Sequence, residues 1–411
     1  MISRLPVRLW LRGVLLSTAL LDELTFGFLV VGLPLARDRF HMSYEQVGLL
    51  FTVGALAALV IEPGINLASD HISKRVPILG GMACLVFAFG LAALTTSYPL
   101  LLLAVALANP AIGAAVGLAQ AALVEQRPAT STRTLARWTM LSSVGDLLSP
   151  LVVAVTAAAG GGWTALSLIG AALWLLAGSV TLPLPFPAPA SLPRDDAMDG
   201  ETSAPSGWAG VRLAVSSALR DTLLLRWMGV LFMATMVDEI FLGFTGLLLR
   251  DHLHATIATT SIILALGMVG GMAGLFALEW FLVRRPDLHQ AGVRLLPWLA
   301  LLTLAGIVTL LLAPSLWLAG IGLFVIGLGA TGWYPVAKAA AYDRLPGRAG
   351  LALAIIGLLM PLELILPALV GVLADRFGLI AALGFLGLAP IGVLLLAPRP
   401  NPNAVVSRET V

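Results

Sequence analysis

The 411-residue chain has few charged residues, a single cysteine and five histidines. Charged side chains make up 11% of it and apolar ones 59%, whereas soluble domains average about 25% charged. Cys84 alone cannot form an intramolecular disulfide or a cysteine-rich metal site. The histidines fall in predicted loops, and the HExxH and GxSxG patterns of metalloproteases and serine hydrolases are absent from the sequence. The composition argues against a soluble domain and against these enzyme classes.

What the chain has instead is a series of long apolar runs, with a mean hydropathy of +0.98. A membrane-spanning helix needs about 20 apolar residues. Twelve windows meet this length, and they cover residues 11–36, 44–69, 76–96, 100–124, 136–159, 163–184, 225–249, 256–283, 291–313, 316–342, 351–374 and 379–396. The runs are too long and too uniformly apolar for the alternating strands of a membrane barrel. We therefore predict an all-α polytopic membrane protein with twelve transmembrane helices.

The basic residues predict the orientation. Of 24 Lys and Arg, 19 fall on the side of the N-terminus, and Lys338 lies within a span. The other four are Arg37, Arg39, Arg250 and Arg376. The positive-inside rule then places both termini in the cytoplasm. The first run is too long for a cleaved signal peptide, and the predominance of Arg over Lys suggests a bacterial source, so we expect the bacterial cytoplasmic (inner) membrane.

A polar segment divides the chain into two related halves. Residues 186–220 are rich in Pro, Ser and acidic residues and predict a cytoplasmic linker, in which 208–221 form either a short interfacial helix or a loop. Residues 1–185 and 221–411 each contain six predicted spans and align at an offset of 216–218 residues. The offset pairs Asp22-Glu23 with Asp238-Glu239, Gly54 with Gly271, and Asp146 with Glu363. Because six is even, the halves are expected to be parallel repeats.

Six carboxyl groups fall near the middle of predicted spans, and they are Asp22, Glu23, Asp146, Asp238, Glu239 and Glu363. A charged Asp at a helix centre costs about 2.5–3.5 kcal/mol on insertion scales, and leucine would fill the space without this cost. We expect these groups to bind protons or substrate. The other interpretation is that a duplicated gene keeps them for helix packing or for a water-filled groove.

The only base at the same depth is Lys338, which we expect to pair with Glu363 or with an acid of the seventh span. Its alternative role is to bind a substrate carboxylate. A cavity with this charge balance favours a cation or zwitterion, such as an amine or a divalent metal, over a phosphate. Trp333 and Tyr334 could stack on an organic cation or simply pack between helices.

Two further acids, Glu62 and Glu279, lie near the cytoplasmic ends of the second and eighth predicted spans. For them the structural interpretation has more weight, with the carboxylate facing a helix end or the Arg284-Arg285 loop. They are second-tier candidates for the site.

The loop "NLASDHISKR" (66–75) resembles the G-x-x-x-D-R-x-G-R-K/R motif of the major facilitator superfamily, and the resemblance extends over the whole chain. Asp70, Lys74 and Arg75 fit the motif, whereas Asn66 and Ser73 stand where it has Gly. The resemblance implies a fold of two six-helix halves around a central cavity lined by the first, fourth, seventh and tenth spans. It also implies that this loop latches the halves, with Asp70 at a helix start or a base and with Lys74 and Arg75 at acids or helix carbonyls.

Other motifs match the family in part. "GDLLSPLVV" keeps Gly145 and Pro150 of its antiporter motif, and Asn109 stands where the family has an Arg. The resemblance also implies that Asp146 and Glu363 lie at the seam between halves. "GVLADRFG" (371–378) matches the latch motif better than the loop does, but it follows the eleventh span, and we interpret it as a helix end. The pattern looks most similar to drug-efflux or fosmidomycin-resistance-like members.

These observations together predict a proton-coupled secondary transporter, an exporter or antiporter of a cationic or zwitterionic small molecule. It would work by alternating access, without a cofactor, as a monomer whose partners are its substrate, protons and the lipid bilayer, and not nucleic acid. Two alternatives remain at this point. One is a divalent metal-ion transporter that uses the same carboxylates, and the other is a transporter-like sensor or non-transporting partner protein.

Overall fold

A computed structural model describes residues 4–126, 131–186, 220–284, 288–344 and 359–398, and over these ranges it contains helices and no β-strand. The helices before the linker are α1 (Arg4–Val31), α2 (Leu33–Phe40), α3 (Tyr44–His71), α4 (Arg75–Leu94), α5 (Tyr98–Ile112), a π-helix (Gly113–Gly117), α6 (Leu118–Gln126), α7 (Ser131–Ala158) and α8 (Trp163–Thr181). Those after it are α9 (Thr222–Met236), α10 (Glu239–Asp251), α11 (Ile257–Val283), α12 (Leu288–Leu311), α13 (Leu316–Ala330), α14 (Trp333–Asp343), α15 (Met360–Phe377), α16 (Leu379–Leu386) and α17 (Ala389–Leu396).

Eleven segments of the described chain are long and apolar enough to cross a membrane. They coincide with eleven of the twelve predicted windows. The remaining window, 351–374, begins outside the described residues, and its described part is helical as α15. The predicted linker, 186–220, and its interfacial helix or loop, 208–221, lie mostly within residues 187–219, which are also outside the description. The prediction of an all-α, multi-pass membrane protein is confirmed.

Two predicted spans are broken where we expected continuous helices. Residues 316–342 are interrupted between α13 and α14, because Pro335 lacks an N–H and its ring would clash with the carbonyl of residue 331. Residues 225–249 are interrupted between α9 and α10. There Asp238 directly precedes α10 and Glu239 occupies its first turn, positions at which acidic side chains favour a helix start. The expectation that this acidic pair lies within a continuous helix is therefore wrong.

The chain forms two compact units, and unit 1 comprises Met1–Ala197, Leu242–Ala265 and Leu364–Ala382. Its core is built around Trp174 of α8, which is fully buried and surrounded by apolar residues of α1 and α4. The indole Nε1 of Trp174 donates to Thr25 Oγ1 at 3.2 Å, so that the one polar atom of this large side chain is satisfied inside the bundle.

Small residues let α1 and α7 approach closely within unit 1. A Cβ atom on Gly145 would overlap the carbonyl oxygen of Leu20 and lie 3.0 Å from Glu23 Cβ. One turn further along, a Cβ atom on Gly27 would overlap the Ser149 hydroxyl. Helices in a bilayer commonly associate through such small residues, and here the approach brings the polar groups of both helices together.

Unit 2 comprises Met198–Phe241, Leu266–Glu363 and Leu383–Val411. The helices α12 and α13 pack through a pair of glycines. A Cβ atom on Gly306 would lie 2.8 Å from the Gly322 carbonyl oxygen, and one on Gly322 would lie 2.9 Å from the Leu310 nitrogen. The two backbones are thus in direct contact at this crossing.

Asp221 begins the seventh span by capping α9. Its Oδ1 accepts from the backbone nitrogens of Leu223 and Leu224 at 3.0 and 3.2 Å, and its Oδ2 accepts from Arg344 Nε and Nη2 at 3.0 and 2.8 Å. Partial burial opposes ionisation, but the guanidinium and the two amides outweigh it and hold the pKa of Asp221 below its usual range. The carboxylate therefore ties the start of α9 to the end of α14.

We expect Gly145→Ala to lower the free energy of unfolding by about 1–3 kcal/mol, because the added methyl forces α1 and α7 apart. Gly13→Ala is the matched control, since Gly13 also lies in a helix and has open space at its Cβ position. There the higher helix propensity of alanine leaves stability unchanged or raises it by up to about 1 kcal/mol. Thermal unfolding of both purified variants measures the difference, and equal melting temperatures would contradict this packing.

Replacing the cap of α9, Asp221→Ala, is expected to lower stability by about 1 kcal/mol at neutral pH. Because the pKa of Asp221 is lower in the folded protein than in the unfolded chain, its contribution is present above the unfolded pKa and disappears as the pH falls through the folded one. The difference in melting temperature between the parent and Asp221→Ala should therefore begin to shrink below about pH 4 and vanish only below the folded-state pKa. A difference that does not shrink as the pH falls further below 4 would count against the ionised cap.

Candidate functional site

Three of the predicted site carboxyls come together within unit 1. Asp22 and Glu23 lie on α1 and Asp146 lies on α7, beside the close approach at Gly145. The Glu23 and Asp146 carboxyl groups lie within hydrogen-bonding reach of each other, and Asp146 is close enough to act electrostatically on Asp22. All three side chains are half-buried. The sequence placed these groups at a common depth, and the structure adds that they form one cluster.

The contact between Glu23 and Asp146 has a chemical consequence. Two ionised carboxylates offer only acceptors, so a hydrogen bond between them requires a proton on one of the two. Asp22, whose side chain leaves α1 about 100° away from that of Glu23, lies beside this pair and adds a third acid. The cluster can therefore hold a proton and still present a negative charge.

Ser149 was not among the predicted site residues. It is fully buried, and its Oγ lies against Gly27 without a hydrogen-bond partner among the described residues. Residues 146 and 149 share a face of α7, which places this hydroxyl one turn from the Glu23–Asp146 pair. The only sequence signal was a polar residue between Asp146 and Pro150 in an otherwise apolar run.

The remaining predicted acids lie in unit 2. Asp238 and Glu239 are exposed at the start of α10, and Glu363 is half-buried in the first turn of α15. Carboxylates in a first helical turn are stabilised by the helix dipole. Asp22 and Glu23 therefore lie within a helix, whereas their repeat partners Asp238 and Glu239 lie at a helix start.

Lys338 and its neighbours on α14 form the basic part of unit 2. Its Nζ donates to Tyr334 Oη at 3.1 Å and lies 4.9 Å from the centroid of the same ring. The contact is thus with Tyr334, one turn away, and not with the acids that we expected. Tyr334 is 43% exposed, whereas Trp333 is fully buried. Of the two aromatics, Tyr334 is the one whose ring a cation reaches.

The second-tier acids have different surroundings. Glu62 packs on the π-helix, where a Cβ atom on Gly113 would lie 2.5 Å from its Oε1. Glu279 is exposed near the end of α11, and Arg284 folds back onto Trp280, with its guanidinium 4.0 Å from the ring centroid.

In the fourth span, Asn109 Nδ2 donates to the Val105 carbonyl at 3.1 Å. The amide that stands where the family has an Arg is therefore bonded to its own helix.

The predicted latch loop is described in part. Arg75 donates to the Leu182 carbonyl at the end of α8, which is one of the two kinds of contact that the resemblance implies for it. Lys74 precedes α4, and the Asp70 side chain lies outside the described residues. The gating role of the three residues stays a prediction.

No three His, Cys, Asp or Glu side chains converge to form a metal site within the part of the chain that the structure describes. The Glu23–Asp146 pair with Asp22 thus lacks the arrangement that a divalent ion needs. An ammonium group, by contrast, can be neutralised by one carboxylate and needs no fixed polyhedron of ligands.

Residues 15–360 match the sequence profile described as Major Facilitator Superfamily. Among solved structures, the nucleoside transporter NupG is similar with a TM-score of 0.71 and 15% identity, over 94% of this chain and 97% of that one. A bacterial homolog of the human lysosomal transporter Spinster, in an inward-facing and unoccupied conformation, has a TM-score of 0.75 and 15% identity, over 96% and 98%. At this identity the likeness shows the fold, and no curated protein matches the chain.

Asp146→Asn is expected to raise the melting temperature at pH 8 by about 2 °C or more, since it keeps a hydrogen-bond partner for Glu23 and removes a charge that repels Asp22. At pH 5 the gain should shrink, because protons relieve the same repulsion in the parent protein. Thr96→Ala, an exposed substitution in the loop after α4, should change neither value. A loss of stability at both pH values in Asp146→Asn would contradict the clustered geometry.

Proposed function

The chain belongs to the Major Facilitator Superfamily of membrane transporters, and on this basis we propose that it exchanges protons for a cationic or zwitterionic small molecule. The observation that carries the proposal is the cluster of Asp22, Glu23 and Asp146, in which two carboxyl groups lie within hydrogen-bonding reach of each other. A hydrogen bond between them forms only while a proton is bound. A transporter that holds this proton in mid-span has a group to load from one side of the membrane and to unload on the other.

The exchange would follow from competition for the same negative charge. A positively charged substrate near Asp22 or Asp146 favours the ionised carboxyls and so the release of the shared proton. When the substrate leaves, the uncompensated charges favour proton uptake again. If each step occurs with the site open to one side, protons moving inward drive the substrate outward, as alternating access about a midplane site requires.

An amine-bearing molecule fits better than a divalent metal as the substrate. No three His, Cys, Asp or Glu side chains among the described residues are arranged so that they could hold a metal ion, and hard divalent ions take six or more oxygens. Tyr334 already lies against one cation, Lys338, at 4.9 Å, which supports an aromatic contact with an organic ammonium group in the second half. Lys338 itself would then meet the carboxylate of a zwitterionic substrate.

We place the transporter in the bacterial cytoplasmic membrane with both termini in the cytoplasm, acting as a monomer and as an exporter. Arg75 at the end of α8 supports a structural role for the loop 66–75, and Asp70, Lys74 and Arg75 together would steady the cytoplasmic side. Glu363 and the pair Asp238-Glu239 would supply the second half of the site, since they are the repeat partners of Asp146 and Asp22-Glu23.

The test uses the full-length protein in proteoliposomes with a pH dye inside. Organic amines and divalent metal ions are added in turn, and the expected result is a change of internal pH with amines only. A change of internal pH with metal ions would favour the metal-transport alternative. If neither class changes the internal pH and no substrate flux is found, a non-transporting protein would be favoured.

Glu23→Gln combined with Asp146→Asn is expected to reduce proton-driven amine transport by at least about tenfold, because the pair proposed to hold the proton is neutralised. The corresponding change in the second half, Asp238→Asn with Glu239→Gln, should also abolish proton-driven transport while the protein remains in the membrane. The control Thr96→Ala should transport like the parent. Retained pH-dependent exchange in the first double variant would overturn the proposed coupling site.

A further inference from the structure

The start of α3 takes part in a set of contacts that has no role in the proposed function. Ser43 and Gln46 form a capping box there: Ser43 Oγ accepts from the Gln46 nitrogen at 3.1 Å, and Gln46 Oε1 accepts from the Ser43 nitrogen at 3.0 Å. A helix start leaves its first N–H groups without an intrahelical partner. The box satisfies one of them, and the N–H groups of Tyr44 and Glu45 remain.

A carboxylate from the other half of the chain takes both remaining groups. Asp375, near the end of α15, accepts from the Tyr44 nitrogen through Oδ1 at 3.0 Å and from the Glu45 nitrogen through Oδ2 at 2.7 Å. The partners are 330 and 331 residues apart in sequence and belong to the same unit. Hydrogen bonds from helix-start amides to an ionised carboxylate are among the strong ones.

The backbones of α3 and α15 touch beside this cap. A Cβ atom on Gly48 would overlap the Pro367 carbonyl oxygen, and a Cβ atom on Gly371 would overlap the Tyr44 carbonyl oxygen. Both positions therefore need glycine for the helices to approach as they do. Gly371 and Asp375 are one turn apart on α15, so a single helix face supplies both the close contact and the capping carboxylate.

A second link reaches the same tyrosine from α10. Asp251 accepts from Tyr44 Oη at 2.7 Å and from Arg37 Nη1 at 2.6 Å, and the Arg37 guanidinium lies 4.2 Å from the Tyr44 ring centroid. Arg250 also pairs with Asp38. Tyr44 is thus held by its backbone from α15 and by its hydroxyl from α10. By the order of the spans, all of these groups lie on the side opposite the termini.

We propose that Gly371 and Asp375, with their partners Tyr44 and Glu45, form a reversible latch that holds the outer ends of the second and eleventh spans together. The stretch that contains them, "GVLADRFG", has the sequence of a latch motif on the side where the family resemblance does not place one. Its bonds are suited to release, since Asp375 is exposed and both it and the two amides can be hydrated when they part. The latch goes beyond the proposed substrate exchange and does not depend on which substrate is carried.

The experiment measures the opening of the outer side in the full-length protein. Cys84→Ser removes the native thiol, and spin labels at Thr96→Cys and His252→Cys, which are exposed in the outer loops after the third and seventh spans, report a distance by electron–electron double resonance in nanodiscs. Asp375→Asn is expected to increase the ratio of long to short distances about tenfold, because the charge-assisted bonds to the cap are lost. The neighbouring Arg376→Gln, at the same depth, is the matched control and should leave the ratio as in the parent.

A second variant keeps the proposal testable if Asp375→Asn does not reach the membrane. Gly371→Ala retains the carboxylate but separates the helices, and it should shift the distance ratio in the same direction. The latch is overturned if both variants match Arg376→Gln in distance, or if they lower the melting temperature while the distances stay unchanged, which would indicate a cap with a purely structural role. Because this distance measurement involves neither substrate nor a proton gradient, it tests the latch independently of the proposed transport activity.

Discussion

The close approach of the Glu23 and Asp146 carboxyl groups is the contact on which the rest of the site depends. A carboxyl group within a bilayer is costly while it is charged and unpaired, and two that lie this close can share one proton. The arrangement needs α1 and α7 in near-contact, which Gly145 and Gly27 permit because larger side chains would overlap Leu20 and Ser149. A local packing feature thus sets the chemistry of the site, and the chemistry in turn suggests a protein that moves protons.

Close helix approach at glycine residues recurs between α3 and α15, with a different result. Gly48 and Gly371 bring α3 and α15 into backbone contact, and the polar group carried beside them, Asp375, meets helix-start amides instead of another acid. Its charge is compensated by the dipole of α3, so this contact needs no proton. One contact therefore suits proton exchange and the other suits mechanical opening and closing, although both rest on glycine-mediated helix approach.

Much of the architecture could be predicted from apolar runs, because a bilayer forces every span to be long and apolar whatever its neighbours are. The breaks were harder to predict. Pro335 is a visible helix breaker, but hydropathy carries no information about backbone hydrogen bonds, so the run 316–342 looked continuous. Asp238 is visible in the sequence as an acid in an apolar run. Its position just before α10 depends on where the helix breaks, which side-chain polarity does not reveal. The partner expected for Lys338 was also wrong in kind, since the contact in the structure is with Tyr334, four residues away on the same helix.

The sequence by itself determined the membrane class and the approximate limits of the spans that the structure describes, and it predicts the duplicated halves and a common depth for the acidic residues. These follow from composition and spacing, which act locally along the chain. Only the tertiary structure decided that Asp146 joins Asp22 and Glu23, that Ser149 lies beside them, and that Asp375 caps α3. Such contacts depend on which helix faces are neighbours and how closely they approach, and residues more than 100 positions apart give no sign of this until the chain has folded.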